Sequence, residues 1–256
     1  MWWTRLGAAA MSLSMVLTAA SATGTETVRA WEETITIPTY PWQPEDVNPH
    51  FRDYEGRIIY PYTMQDDLSA HKVDRTYKAV CLENDYLKVV CLPQLGGRIH
   101  SVLDKTTDQQ MFHLNQVIKP GLIAMRGAWI SGGVEFNFPR GHTVTTVSPV
   151  DARLTREKDG GATVWVGDLE RLHRMAWAVG IRLRPGSSLL ETEIRLHNRT
   201  ALPHPYYFWA NAAVPARDDM QLVYPATRAR TWQGEVDWPV HEGRDLSRYT
   251  SYRFAS

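Results

Sequence analysis

The chain has 256 residues, enough for one large all-β domain or two smaller ones. Apolar residues make up 43%, and Lys plus Arg balance Asp plus Glu at 28 each, which excludes global disorder and leaves no basic run or stripe for nucleic acid. Ten Trp and eleven Tyr exceed what a core of this size requires and predict an aromatic-lined surface or cleft.

Residues 1–22 have the pattern of a secretory signal: Arg5 as a positive n-region, an uncharged apolar stretch from Leu6 to Ala20, and Ala20-Ser21-Ala22 as a small-residue cleavage site. The apolar core is shorter than the roughly 20 residues of a membrane span, so a cleaved signal is favoured over an uncleaved anchor. An exported protein, periplasmic or secreted and free of the membrane after signal removal, is the expectation.

Residues 23–75 are predicted to form an N-terminal arm packed on the main domain, because they carry too few apolar residues for a core of their own. Within it, Glu33 to Ile37 alternates like a short strand and Pro38 to Pro49 has loop composition. Arg57 to Tyr62 resembles a strand, and Met64 to Lys72 suggests one helical turn. The main domain, residues 76–256, has closely spaced strands: Tyr77–Leu82 and Tyr86–Leu92 around an Asn84-Asp85 turn, then one entered through Gly96-Gly97. Gln110 to Leu114 is short and apolar, and further strands are predicted at Thr143–Val150, Ala162–Leu169, His173–Leu183, Ser188–Asn198, Tyr206–Val214 and Leu222–Tyr224. Turns fall at Asp104 to Asp108, Asp159-Gly160-Gly161, Pro185-Gly186 and Pro203 to Pro205. No long amphipathic helix is present in the pattern, so the expectation is an antiparallel β-sandwich or barrel. Cys81 and Cys91 flank the first hairpin out of register for a disulfide, which predicts two buried free thiols.

Trp129 to His142, WISGGVEFNFPRGH, is the most informative stretch. Gly132-Gly133 allows a tight bend, and Val134 to Phe138 alternates strictly, placing Glu135 and Asn137 on one face. Pro139 ends the strand, and Arg140 and His142 follow. A carboxylate, amide, guanidinium and imidazole beside Trp129 suit a sugar site; a half-buried strand with a solvated polar face fits the pattern equally well. In Tyr206 to Val214, YYFWANAAV, Tyr207, Trp209 and Asn211 share a face, where rings can stack on a pyranose and an amide can bridge hydroxyls. The alternative is that both faces are covered. Arg98 and His100 form a third candidate, with Arg98 able to clamp a carboxylate or hydroxyl pair or simply to face solvent. Asn198-Arg199-Thr200 has the form of a glycosylation acceptor, although a turn-forming Asn at a strand end is the favoured role. Phosphate-binding and dinucleotide motifs, HExxH, CxxC and GxSxG are all missing, and the nine His lack metal-ligand spacing. No cofactor and no metal are therefore expected.

The strings LPQLGGRIHSVLDKTT, IKPGLIAMRGAWISGGVEFNFPRGHT, ATVWVGDLERLHRM and FWANAAV resemble the family called domain of unknown function 5107, grouped with galactose-mutarotase-like carbohydrate-binding domains. The resemblance runs from about Tyr77 to the end. It implies an all-β supersandwich of antiparallel sheets with a sugar cleft, and a C-terminally incomplete domain, because such members usually continue further. Where mutarotases carry a catalytic His, this chain has Tyr207, with His204 three residues earlier, so aldose epimerisation is not implied.

The leading expectation is a carbohydrate-active enzyme of glycosidase or epimerase type, acting on an oligosaccharide or polysaccharide fragment. Glu135 would be general acid/base with a pKa raised by its apolar wall, and His142 would be the second catalytic group. Arg98, Asn137 and Asn211 would bind hydroxyls, with Trp129 and Trp209 stacking on the ring. A non-catalytic sugar-binding module is the close alternative, and a protein-interaction sandwich the third.

Overall fold

A computed structural model describes residues 27–42, 49–231 and 234–252; the predicted signal sequence lies outside these residues. Strands β1 (Arg29–Thr39), β2 (Val73–Glu83), β3 (Leu87–Leu92), β4 (Arg98–Asp104), β5 (Gln109–Gln110), β6 (Gly121–Ala124), β7 (Gly127–Trp129) and β8 (Val134–Asn137) come first. They are followed by β9 (Asp151–Arg156), β10 (Ala162–Glu170), β11 (Met175–Leu183), β12 (Glu191–Asn198), β13 (Trp209–Ala212), β14 (Arg228–Thr231), β15 (Gly234–Asp237), β16 (Val240–His241) and β17 (Arg244–Asp245). The described residues contain no α-helix; the helical turn expected within Met64 to Lys72 is irregular chain with isolated bridges at Gln65 and Leu68, and the only helical segments among the described residues are two short 3-10 turns.

Two antiparallel sheets dominate. The larger has the order β1-β2-β3-β4-β8-β13, with β5 beside β4, and the smaller has the order β12-β11-β10-β9. Their facing surfaces share one apolar core: Val80, Leu82, Val89, Cys91, Ile99, Val134, Phe136 and Phe138 from the larger sheet meet Val164, Val166, Trp177, Val179, Ile181 and Leu183 from the smaller. A second core covers the opposite face of the larger sheet, where Tyr77, Ala79, Cys81, Val90 and Leu92 pack against Ile118, Ala128, Ile130 and Val147. Burial on both faces explains why Val89 to Leu92 of β3 is an unbroken apolar run rather than an alternating one. The smaller sheet has one wet face, and its edge strand β12 is exposed along most of its length, with Leu196 packed against the core.

β1 is longer than the Glu33–Ile37 run and pairs along its whole length with β2, forming an edge of the larger sheet. In the first hairpin Glu83 lies opposite Lys88 and Cys81 opposite Val90, and Asn84 N–H donates to Leu87 O, so the turn is centred on Asp85-Tyr86, one residue later than the Asn84-Asp85 expected from sequence. The two thiols consequently point to opposite faces, both free and buried. Asn84 closes the turn: its Oδ1 accepts from the amides of Tyr86 and Leu87, and its Nδ2 donates to the carbonyls of Arg184 and Ser187 in the β11–β12 connection. Asn198 ends β12 in a local turn, its Oδ1 accepting from Thr200 N–H and Oγ1–H.

Thr143 to Val150 is not the strand that its composition suggests. The segment is a run of buried turns, because its polar groups bond locally: Thr146 N–H donates to Thr143 O, Ser148 N–H to Thr145 O, and Thr143 Oγ1–H to Phe138 O. The following segment supplies β9 instead. Leu222–Tyr224 and Arg57–Tyr62 are also irregular.

Candidate functional site

β8 is the spine of the site. Val134, Phe136 and Phe138 point into the core between the sheets, so Glu135 and Asn137 face the other way. β13 pairs antiparallel with β8, setting Trp209 opposite Asn137 and Asn211 opposite Glu135. On the other side β4 meets β8 at Ile99–Val134, which brings Arg98 to the same end of the sheet. Gly132 and Gly133, at φ of 88° and 59°, make the turn that starts β8. A Cβ at Gly133 would overlap the carbonyl oxygen of Ile99, so only glycine lets β8 approach β4 this closely.

Glu135 is 3% exposed and surrounded by donors. Its Oε2 accepts from Trp129 Nε1 at 3.1 Å and lies 2.9 Å from His142 Nδ1; its Oε1 accepts from Thr146 Oγ1 at 2.6 Å. Burial pushes the carboxyl pKa up, but the hydrogen bonds from His142 and Thr146, the Arg98 charge and the Trp129 indole outweigh it and hold it at about 2. The raised pKa expected for Glu135 as a general acid is thus corrected: the apolar wall is present, and the donors built into it win. An ionised Glu135 makes His142 Nδ1 the donor, which fixes the tautomer and leaves Nε2 as the acceptor nitrogen of a ring that lines the cavity. The imidazole is held edge-on between two indoles, 5.2 Å from Trp129 and 4.9 Å from Trp209 by ring centroids. Trp209 is itself fixed by Nε1 donating to Gly141 O at 3.2 Å.

Arg98 and Asn137 lie under the site rather than in it. Arg98 is 3% exposed, and its Nη1 donates to Ser131 O and Gly132 O, tying the glycine turn to β4. Burial lowers its pKa to about 10, with Glu135 pulling the other way, so it is a cation at neutral pH. Asn137 is 0% exposed, and its Oδ1 accepts from Thr143 N–H, anchoring the loop that carries His142 and Thr146. Neither presents a polar group to solvent for a sugar hydroxyl, as the sequence expectation requires. His100 lies next along β4, its pKa lowered to about 4 by burial and by Arg98.

A cavity of about 330 Å³ opens in front of His142, lined also by Arg140 and Gly141, by Asp53 to Arg57 and by Leu122 to Met125. Arg140 Nε is buried with no hydrogen-bond partner among the described residues. Asp53 is locked to Arg57 at 2.6 Å and accepts from the amides of Glu55 and Arg57. Burial works against its charge, and Arg57 outweighs that and lowers its pKa. Sequence reasoning missed this wall. Its only signal was turn chemistry around Gly56, which says nothing about where the turn docks. Among the described residues no group of three or more His, Cys, Asp or Glu is placed to hold a metal.

The fold and site define an all-β protein of two stacked antiparallel sheets, with an ionised carboxylate behind a cavity-facing imidazole. A family model described as Domain of unknown function (DUF5107) matches residues 55–255, and the chain belongs to that family. It is similar in structure to a TPR-domain containing protein from Parabacteroides distasonis, with a TM-score of 0.73 and 26% identity over 85% of this chain. The match spans 38% of that protein's length.

Proposed function

We propose that the protein is an exported carbohydrate-binding protein whose cavity takes a sugar unit, with His142 as its acid/base group and Glu135 as the carboxylate that orients it. The observation that carries this reading is the His142–Glu135 pair at the back of a cavity walled by the Arg57 and Arg140 guanidinium groups, the Asp53 and Glu55 carboxylates, the Tyr54 phenol and the aliphatic side chains of Leu122 and Ile123. Sugar sites need that mixture: fixed polar groups for hydroxyls and apolar surface for ring faces. The stacked antiparallel sheets support taking the fold as the galactose-mutarotase-like supersandwich. The signal-like residues 1–22 support export to the periplasm or medium.

The roles differ from those expected of the sequence. Glu135 at a pKa of about 2 has no proton to give near neutrality, so it serves His142 and not the substrate. His142 Nε2 can accept a hydroxyl proton and return it, with Glu135 stabilising the imidazolium formed, and Arg140 can donate to neighbouring oxygens. Asp53 and Glu55, on the opposite wall, are the carboxylates from which hydrolysis would draw a second group. Binding without turnover is favoured by one observation, the Asp53–Arg57 ion pair, which occupies the more buried of those two carboxylates.

Binding and turnover of a saccharide panel separate these outcomes. His142→Ala should abolish any turnover, by about a hundredfold or more, while Arg140→Ala weakens binding of the same sugar. A His142→Ala protein that turns over a confirmed substrate at the parent rate sinks the acid/base role. A panel with no bound saccharide sinks the carbohydrate reading itself.

A further inference from the structure

A line of aromatic rings continues from the cavity onto open surface. Ring centroids run from Trp129 to His142 at 5.2 Å, from His142 to Trp209 at 4.9 Å, and from Trp209 to Tyr207 at 6.5 Å. Backbone pairing sets the last step. Tyr207 N–H donates to Pro139 O at 2.6 Å, extending the pairing of β13 with the β8 segment, so Tyr207 and Trp209 share a face two residues apart. The Tyr207 and Trp209 planes differ by 31°, and Tyr207 is 66% exposed. One exposed Tyr is ordinary on a protein surface. This one continues the ring contacts that run from His142 through Trp209; of its neighbours on the strand, Phe208 packs on the core between the sheets, and Tyr206, itself 63% exposed, lies on the other face near Phe138.

We infer that the ligand is an oligosaccharide bound by its end, with the terminal unit in the His142 cavity and the next unit over Tyr207 and Trp209. The inference rests on the carbohydrate reading above and names its substrate class. The cavity, at about 330 Å³, is near the lower limit of ligand pockets, roughly 300–1,000 Å³, and is walled by residues 53–57 and 122–125, so it takes a single unit and not a chain. A monosaccharide would leave Tyr207 unused. A second unit can lay its apolar ring face on the phenol, whose centroid lies 6.5 Å from that of Trp209.

Calorimetric titration of the full chain with gluco-, galacto-, manno- and xylo-configured mono-, di- and trisaccharides tests this. A di- or trisaccharide is expected to bind about tenfold tighter than its terminal monosaccharide, the scale of one aromatic stacking contact. Tyr207→Ala should erase that gain and leave monosaccharide affinity within about twofold, while Tyr207→Phe keeps the gain. Monosaccharide binding with no gain from a second unit overturns the inference and leaves the cavity reading standing. So does a gain that survives Tyr207→Ala, or one lost equally in Tyr207→Phe. If no saccharide binds, both fall together.

Discussion

Glu135 keeps its charge while almost out of water because three side-chain donors and the nearby Arg98 compensate it. Replacing it by Gln retains shape but not charge: the amide accepts at one atom only, and Arg98 loses its counter-charge in the same buried layer. Glu135→Gln should cost about 2–4 kcal/mol in urea unfolding, the range for losing charge-assisted bonds and stranding a buried ion. A loss below about 0.5 kcal/mol, the level of a neutral surface change, would mean the donors do not stabilise the carboxylate. Alternation in VEFNF was enough to put Glu135 and Asn137 on one face. It could not reveal that the donors come from residues 6, 7 and 11 positions away in sequence, so the direction of the pKa shift was illegible. Asn137 shows the same limit, since strand periodicity says which face a side chain takes, not whether a loop then covers it.

At the scale of elements, the Gly132-Gly133 turn decides whether β8 can join β4. Gly133→Ala would place a Cβ against Ile99 O at a left-handed φ, and should destabilise the fold by at least about 3 kcal/mol. The same change should uncouple Glu135 from His142 by displacing β8. Near-parental melting of Gly133→Ala would show that the close approach is dispensable. Strands bounded by turn chemistry were legible: Asp159-Gly160-Gly161 marks the β9–β10 connection, and residues 162–170 and 175–183 lie close to their expected bounds. The Thr143–Val150 segment was misread because threonines favour strands in composition yet bond to nearby backbone when a loop must bury itself. The cavity walls were illegible for another reason. Residues 53–57 and 122–125 reach His142 through chain folding alone, with no pattern in either segment that points to the other.

Across the whole molecule, His100 and Glu135 combine burial with strongly lowered pKa values and shape the acid side of the stability profile. His100 is held at about 4 against an ordinary 6.5, so between those values the unfolded chain binds the extra proton and stability falls as pH falls. Glu135 is held at about 2 against 4.5; its contribution is complete above about pH 4.5 and is lost as pH drops toward 2. A shift of that size at Glu135 corresponds to roughly 3 kcal/mol. The urea midpoint should therefore fall in two stages, the first from about pH 6.5 to 4 and the second below about 4.5. His100→Gln should flatten the first stage only; a parental slope in that variant would remove His100 from the account.

The two cysteines lie one on each side of the larger sheet, Cys91 between the sheets and Cys81 under the loop layer that includes Ile118, Ala128 and Val147. A thiol reagent reaches Cys91 when the sheets part, and Cys81 when the opposite face of the larger sheet is uncovered, where its Sγ–H donates to Glu33 Oε1. The chain thus carries its own pair of clocks. Alkylation timed at each position records the opening of one layer independently of the other, with no added label.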